Sequence, residues 1–239
     1  ITGASNYSLI PSQRSAILLL NRSILSSVAK VSGGEGIRIK PVGMHTKAEW
    51  TIQMSAIYSS LTRSNLTTAY LSNGTGGEFY TRISSTAGIQ VKNGRDGDDA
   101  WTQMPLQAGK WLHITYVHKD KKTTVYVNGK VQKVFENSAI TFGENSMIVV
   151  GNSGYRNDYL REIRLWDKAL TESEINDYLY LPMDPATPHL ISYLPLSKEM
   201  ETKDLKAPAG TENVTTKARI EYVENVKFPA DELVIVNQE

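Results

Sequence analysis

The residues with the clearest capacity for chemistry form an oxygen-rich stretch, "NGRDGDD", at residues 93–99. Its carboxylate and amide groups are hard oxygen ligands of the kind that Ca²⁺ prefers. The candidate ligands are Asn93, Asp96, Asp98 and Asp99, and Asp158 in another polar stretch would add a carboxylate. The spacing does not complete a calcium-loop motif. Ca²⁺ is therefore an open cofactor prediction, with a solvated polar hairpin as the alternative.

Two aromatic and polar clusters have the composition of a saccharide-binding surface. Sugar rings bind by C–H contact with an exposed aromatic face, while planar polar side chains hydrogen-bond their hydroxyl groups. The first cluster is Trp101 within "DDAWTQ", and the second contains Tyr155, Arg156, Asp158 and Tyr159. If both loops meet at one edge of the fold, they form a shallow ligand platform. Otherwise these residues are ordinary half-buried surface aromatics and their polar neighbours.

Nucleophilic and phosphate-binding chemistry finds no support in the sequence. The chain has no cysteine, which excludes disulfides, thiolate metal sites and a cysteine nucleophile. No Gly-X-Ser-X-Gly elbow is present, and "SGGEG" at residues 32–36 lacks the lysine and the helix of a phosphate loop. His113, in "WLH", has no second histidine at ligand spacing and is predicted to be a packed, hydrogen-bonded core residue.

Composition and charge narrow the class of protein further. The 239 residues contain 26 Lys and Arg against 25 Asp and Glu, and the basic residues are scattered. A nucleic-acid partner is therefore not expected. No run of 18 apolar residues is present, so this chain is not expected to insert into a membrane.

The elements that must position these residues are mostly strands. Segments rich in Val, Ile, Thr and Tyr recur every 8 to 15 residues between turn residues, as is typical of a β-sandwich. The predicted strands are residues 16–20, 36–40, 50–58, 67–72, 78–83, 88–92, 101–105, 111–118, 123–127, 130–135, 147–151, 160–166, 190–194 and 219–223.

Three local signals fix parts of this arrangement. Asn128-Gly129 between two alternating segments predicts a type I′ hairpin that places Tyr126 opposite Val131. Bulky residues at every position of "WLHITYV" predict a central strand packed on both faces. One helix is expected, because Thr171 and Glu174 form a capping box ahead of apolar residues at helical spacing.

Taken together, five segments resemble the laminin G-like branch of the concanavalin A-like lectin and glucanase superfamily. They are "GKWLHITYV", "TVYVNGKV", "VVGNSG", "REIRLWDKALTESEI" and "LISYLPLSK", in family order across residues 45 to 197. The resemblance implies an all-β fold, a jelly-roll β-sandwich of two antiparallel sheets with one short helix. "RLWDKALTESEI" and "IEYVENVKFP" look like modules of Bacteroidetes surface proteins, which often follow another β domain and accompany glycan-uptake machinery.

The resemblance also raises two chemical possibilities. Relatives with this fold bind Ca²⁺ through loop carboxylates, and others hydrolyse polysaccharides with a Glu-X-Asp-X-X-Glu cluster on one strand. That triplet is absent from this sequence, which makes an enzyme the least favoured interpretation. Relatives often carry an Asp-X-Ser-Gly-Asn-Gly segment where this chain has "KDLKAPAGTEN", so contacts made by that segment are not carried over.

The sequence therefore predicts a non-catalytic carbohydrate-binding module of a bacterial glycan-utilisation protein. The ligand would be a polysaccharide or oligosaccharide, and an upstream domain of the same protein is a further predicted partner. Residues 1–13 are predicted to be a linker or the end of that domain, and residues 14–239 the jelly roll. The expected location is extracellular, at the cell surface or periplasmic. A structural or protein-interaction module remains the alternative function.

Overall fold

The computed structural model describes residues 27–34, 36–61, 66–72, 79–93, 99–136, 140, 142–151 and 156–226. Within them, fifteen strands form two antiparallel sheets. The strands are β1 (Ser27–Ser32), β2 (Ile37–Ile39), β3 (Trp50–Ile57), β4 (Leu66–Ser72), β5 (Phe79–Ser84), β6 (Gly88–Asn93), β7 (Asp99–Trp101), β8 (Trp111–Lys119), β9 (Lys122–Val127), β10 (Lys130–Phe135), β11 (Met147–Val150), β12 (Arg156–Trp166), β13 (Leu190–Leu194), β14 (Val214–Thr216) and β15 (Arg219–Glu224). A 3-10 turn spans Met44–Thr46, and one short α-helix, α1, spans Glu172–Asp177. The predicted β-sandwich is confirmed.

Eight of the strands form one sheet, sheet A, and seven form the other, sheet B. Sheet A has the order β10-β9-β8-β3-β12-β1-β15, and β13 also pairs with β12. Sheet B has the order β14-β2-β11-β4-β5-β6-β7. The long strand β12 runs beside β3 on one side, and it pairs with β1 and then β13 on the other. The register of β12 against β3 shifts at Glu162. The φ of 49° at this residue marks a bulge, which lies between the part of β12 that pairs with β1 and the part that pairs with β13.

The main core lies between the sheets and follows from strand alternation. Ile52, Met54 and Ala56 of β3 point inward, as do alternate residues of the other strands. Trp50 lies near one end of this core, where its ring meets Phe79 edge-on at a centroid distance of 5.4 Å. Because both sheets contribute every second side chain to this core, the side chains between them in each strand face outward.

A second core covers the outer face of sheet A. Trp166, Ile175 and Tyr193 belong to it, together with Val117 of β8. Helix α1 begins with the predicted capping box, in which the Thr171 side chain accepts a hydrogen bond from the Glu174 backbone N–H. The segment that contains α1, residues 167–189, therefore packs as a cover on sheet A.

The hairpin predicted at Asn128-Gly129 is confirmed, with both residues at positive φ, 50° and 76°. Tyr126 lies opposite Val131, as the turn requires. Strand β8 is also central as predicted, since it pairs with β3 on one side and β9 on the other.

Several strand boundaries differ from the sequence prediction. The predicted strand at residues 16–20 lies outside the described residues. Strands β1 and β14 were not predicted, because their short sequences gain strand geometry from long-range pairing with β12, β15 and β2. The predicted strand at residues 101–105 is instead β7, which ends at Trp101. In the described part of the chain, no helix has the length and apolarity needed to cross a membrane.

Two buried histidines in β8 have strongly lowered pKa values. Burial lowers the pKa of His113 to about 3, and the positive charge of Arg164 adds to this effect. Burial likewise lowers the pKa of His118, which stacks on Trp50 at a centroid distance of 4.9 Å, to about 4. In the unfolded chain both imidazoles titrate near pH 6.5, so between about pH 6.5 and 4 the unfolded state binds more protons than the folded one. Stability must therefore fall as the pH falls through this window.

We expect the free energy of unfolding to fall by up to about 2.7 kcal/mol per pH unit between pH 6 and 4.5, since each histidine contributes about 1.4 kcal/mol per unit. Urea unfolding at a series of pH values measures this slope. His118→Gln should reduce the slope by about half. A free energy of unfolding that is flat across this window would contradict the assignment.

Candidate functional site

Strands β5, β6 and β7 at one edge of sheet B present an ordered set of outward-facing side chains. Arg82, Gln90 and Trp101 are paired across the three strands, and a second row pairs Tyr80, Lys92 and Asp99. Their neighbours along the strands point inward to the main core. We call this surface the β5–β7 face, and its described members are Tyr80, Arg82, Gln90, Lys92, Asp99 and Trp101.

Polar contacts hold the planar groups of the β5–β7 face in place. The Gln90 amide Nε2 donates to the Asp99 carboxylate at 2.8 Å, and the Tyr80 hydroxyl lies 3.5 Å from the other carboxylate oxygen. The Arg82 guanidinium lies 4.9 Å from the centroid of the Tyr80 ring and 3.5 Å from the Gln90 side-chain oxygen. Because these groups are already positioned, a ligand that binds them would order few additional rotamers.

Trp101 is fixed at the end of the edge strand by its backbone. Its carbonyl oxygen accepts a hydrogen bond from Lys133 Nζ of β10 at 3.1 Å, which links the edges of the two sheets. The next residue, Thr102, is buried and its hydroxyl accepts from the Ile89 N–H at 3.0 Å. The half-buried indole therefore stands on a rigid support.

Gly88 provides the space that this support needs. Its φ is +81°, and a Cβ built on it would lie 2.2 Å from the Thr102 hydroxyl and 2.4 Å from the Met104 carbonyl oxygen. Gly109, at φ +71°, has no atom within 4 Å of a built Cβ. Both glycines have a positive φ, but only Gly88 lacks the space for a Cβ.

We predict that Gly88→Ala destabilises the fold by at least about 2 kcal/mol, since it adds a steric clash with backbone to the cost of a positive φ. Gly109→Ala is the matched control and should cost only about 1 kcal/mol, from φ alone. Thermal or denaturant unfolding of both variants measures the difference. Equal losses of stability would show that Thr102 and Met104 do not pack against Gly88 as described.

The predicted metal ligands lie beside the β5–β7 face. Asn93 is the last residue of β6, Asp96 and Asp98 lie outside the described residues, and Asp99 is exposed and hydrogen-bonded to Gln90. Among the described residues, no three His, Asp or Glu side chains are grouped closely enough to hold a metal ion. The Ca²⁺ site stays a prediction, because part of its ligand set lies outside the described residues.

The second predicted cluster divides between the interior and sheet A. Tyr155 lies outside the described residues, and Arg156 begins β12. Asp158 is buried, and its carboxylate accepts hydrogen bonds from the Ser59 backbone N–H at 2.6 Å and hydroxyl at 2.9 Å. Its observed contacts are therefore structural, joining β12 to the end of β3.

Tyr159 lies on the outer face of sheet A, where it is paired with Lys30 and Ile57. Trp101 lies on the outer face of sheet B, so the two aromatic residues stand on opposite sides of the sandwich. The condition for a shared platform, that both loops meet at one edge, is therefore not met by Trp101 and Tyr159. The physical reason is that β7 and β12 belong to different sheets, a long-range pairing that the local sequence does not encode.

A groove that sequence reasoning missed lies at the end of the sandwich, next to Trp111. It has a volume of about 660 Å³ and is bounded by residues 104–107, by Lys110 and the start of β8, and by the β9–β10 hairpin. The alternation of β8 places Trp111 outward, and its position as the first strand residue leaves its indole partly exposed. The place of Trp111 at the start of a strand was the sequence signal for its exposure. The match of Trp111 to the family core pattern favoured a structural role for this residue instead.

Asp204 is a second residue that sequence reasoning missed. It is buried, and its carboxylate accepts hydrogen bonds from the Ser192 hydroxyl at 2.5 Å, the Tyr193 N–H at 2.9 Å and the Asn213 amide at 2.8 Å. These contacts anchor the polar loop of residues 198–213 to β13. The role of Asp204 is therefore to shape a surface loop, within which an open hollow of about 1020 Å³ lies.

Comparison with known proteins defines the class. Residues 32–176 match the laminin G-type family model described as the concanavalin A-like lectin/glucanases superfamily. The match spans more than half of the chain, so the protein belongs to this superfamily. A search of the curated proteins finds no match to the sequence.

Solved structures with low sequence identity share the fold. A proposed carbohydrate-binding protein from Bacteroides ovatus has a TM-score of 0.62 at 19% identity, covering 84% of this chain and 61% of its own. Domain 4 of AbnA, an extracellular GH43 arabinanase from Geobacillus stearothermophilus solved with arabinotriose, has a TM-score of 0.52 at 20% identity over 64% of this chain and 76% of its own. A heptameric SAP-like pentraxin from Limulus polyphemus has a TM-score of 0.55 at 11% identity, covering 84% and 96% of the two chains. This chain thus spans about three-fifths of the Bacteroides ovatus structure.

Proposed function

We propose that this chain is a non-catalytic carbohydrate-binding module of an extracellular, cell-surface or periplasmic bacterial protein that acts in glycan utilisation. The observation that carries the proposal is the β5–β7 face. It combines one partly exposed indole with a guanidinium, an amide and a carboxylate on adjacent strands. This is the set of groups that recognises a sugar, since the ring stacks on the indole and neighbouring hydroxyl groups bind planar polar side chains.

The rigidity of the β5–β7 face supports binding by preorganisation. Gln90 already contacts both Asp99 and Arg82, and the sheet fixes their spacing. A saccharide would replace weak side-chain contacts and water rather than order a loop. Affinity for a single sugar unit would be modest, because the face is open and carries one indole among its described residues.

The carboxylates favour binding over hydrolysis. Glycosidases place two carboxyl groups about 5 to 10 Å apart on either side of the scissile bond. Asp99 is the single carboxylate among the described residues of the β5–β7 face, and no Asp or Glu lines the groove beside Trp111. Glu162, another carboxylate of the strand framework, is buried in an ion pair with Arg164.

The shared fold and two of the structural neighbours are consistent with this proposal. One structural neighbour is a proposed carbohydrate-binding protein, and another is a domain of an arabinanase solved with arabinotriose. The arabinanase is extracellular and the other neighbour also comes from a bacterium, which is consistent with the proposed bacterial location. The ligand class proposed for this chain rests on its own β5–β7 face.

We predict that the purified domain binds members of a glycan array and that Trp101→Ala lowers the affinity for them at least tenfold. Loss of the indole removes the largest apolar contact of the face, which is worth about 1.4 kcal/mol or more. Tyr159→Ala is the matched control, because it removes a half-buried aromatic ring from the opposite side of the sandwich.

The array should be run with Ca²⁺ and with a chelator, which tests in the same experiment whether binding needs the ion predicted at Asn93, Asp96, Asp98 and Asp99. Binding that survives Trp101→Ala but not Tyr159→Ala would move the site to sheet A and contradict the proposal. Failure to bind any glycan under either condition would favour a structural or protein-docking module instead.

A further inference from the structure

The groove beside Trp111 is distinct from the β5–β7 face. Residues 102–110 leave Trp101 on sheet B and cross to Trp111 at the start of β8 on sheet A. This crossing forms one wall of the groove, and the β9–β10 hairpin forms the other. Its volume of about 660 Å³ lies in the range of small-ligand sites.

The floor and rim of the groove are chemically different. Apolar contact is available from the Trp111 indole and from Met104, whose side chain is 47% exposed. The rim carries the ammonium groups of Lys110 and Lys130 and the amides of Gln107 and Asn128. No lining residue is an aspartate or a glutamate.

The two lysines are available to an external anion. In the described part of the chain neither Lys110 nor Lys130 forms an ion pair, whereas Lys119 and Lys122 pair with Glu49 and Glu136. Two lysines without an ion pair among the described residues, in a lining that contains no carboxylate, give the groove an excess of positive charge. Such a site favours an anionic ligand group.

The hairpin fixes a further donor beside these lysines. The Asn128 side-chain oxygen accepts hydrogen bonds from the His113 N–H at 2.8 Å and from the Tyr180 hydroxyl at 2.6 Å. Both bonds use the oxygen end of the amide, so its orientation is set and its Nδ2 group remains a donor. The groove therefore offers ammonium and amide donors around an indole, a combination that suits a sugar ring bearing an anionic group.

We propose that the groove beside Trp111 is a second saccharide site, and that it selects a sugar residue carrying a carboxylate. The ring would pack on the indole while the carboxylate lies between Lys110 and Lys130. The β5–β7 face differs, because its cations share the surface with the Asp99 carboxylate, whereas no carboxylate of the described residues lines the groove. The inference adds a site and a ligand class to the proposed function, and it rests on that function only in taking a saccharide as the ligand.

The test compares a uronic acid oligosaccharide with its carboxyl-reduced, neutral counterpart, by calorimetry on the whole chain. We expect the acidic form to bind at least tenfold more tightly, and Lys110→Gln/Lys130→Gln to remove most of that difference. Lys119→Gln/Lys122→Gln is the matched control, since it removes the same charge at the other end of the β8–β9 pair. Trp111→Ala should weaken binding of the acidic form, and Trp111→Phe, which preserves packing, should retain part of it.

The outcomes separate this inference from the proposed function. Equal affinity for the acidic and reduced forms, or no effect of the Lys110 and Lys130 substitutions, would overturn the groove proposal. If neutral glycans bind through Trp101 while the acidic form gains nothing from the groove, the inference fails and the proposed function stands. A sulfated oligosaccharide that contains no uronic acid is included as a third ligand, and its tighter binding than the uronic acid would overturn selection of a carboxylate.

Discussion

The buried guanidinium of Arg164 determines which surfaces of this sandwich remain open. It lies on the outer face of sheet A and donates to the Tyr178 carbonyl oxygen at 2.9 Å, to the Leu181 carbonyl and to the Glu162 carboxylate. A buried arginine is tolerated only when its charge and its donors find partners. Glu162 of the same strand supplies the opposite charge, and the chain segment after α1 supplies two carbonyl acceptors, so the hydrogen bonds of Arg164 hold the cover against the sheet.

That cover has consequences for binding. With Trp166 of β12 packed against Ile175 and its neighbours in residues 167–189, the outer face of the middle of sheet A is covered in the described structure. The bulge at Glu162 serves the same arrangement, because it turns the carboxylate toward Arg164 and separates the β1 and β13 pairings along β12. The surfaces with suitable chemistry are accordingly the β5–β7 face of sheet B and the groove at the end of the sandwich.

Local sequence predicts the parts of this structure that local physics determines. The Asn128-Gly129 turn fixes the hairpin register through its positive φ values, and the Thr171–Glu174 capping box fixes the start of α1. Alternation in "WLHITYV" assigns both faces of β8, which the two cores then bury. These features depend on residues within a few positions of one another.

The candidate site was predicted only in part, because it depends on contacts between distant segments. Trp101 was selected from its polar neighbours, but its partners Arg82 and Gln90 come from the pairing of β5, β6 and β7. The same limitation grouped Trp101 with Tyr159, which strand order places on the other sheet. Asp158 illustrates a further difficulty, since its short contact with Ser59 joins residues 99 positions apart.

The central claim is that a saccharide binds at Trp101, and the four tryptophans of the chain allow a direct measurement. Trp50 and Trp166 are buried, whereas Trp101 and Trp111 are partly exposed, so four indole N–H signals report on the two cores, the β5–β7 face and the groove. Spectra of ¹⁵N-labelled protein, assigned with single Trp→Phe variants, would be recorded during titration with a neutral oligosaccharide that binds in the array. The account predicts that the Trp101 signal moves with saturation while those of Trp50 and Trp166 stay in place. A bound saccharide that leaves the Trp101 signal unmoved would contradict it.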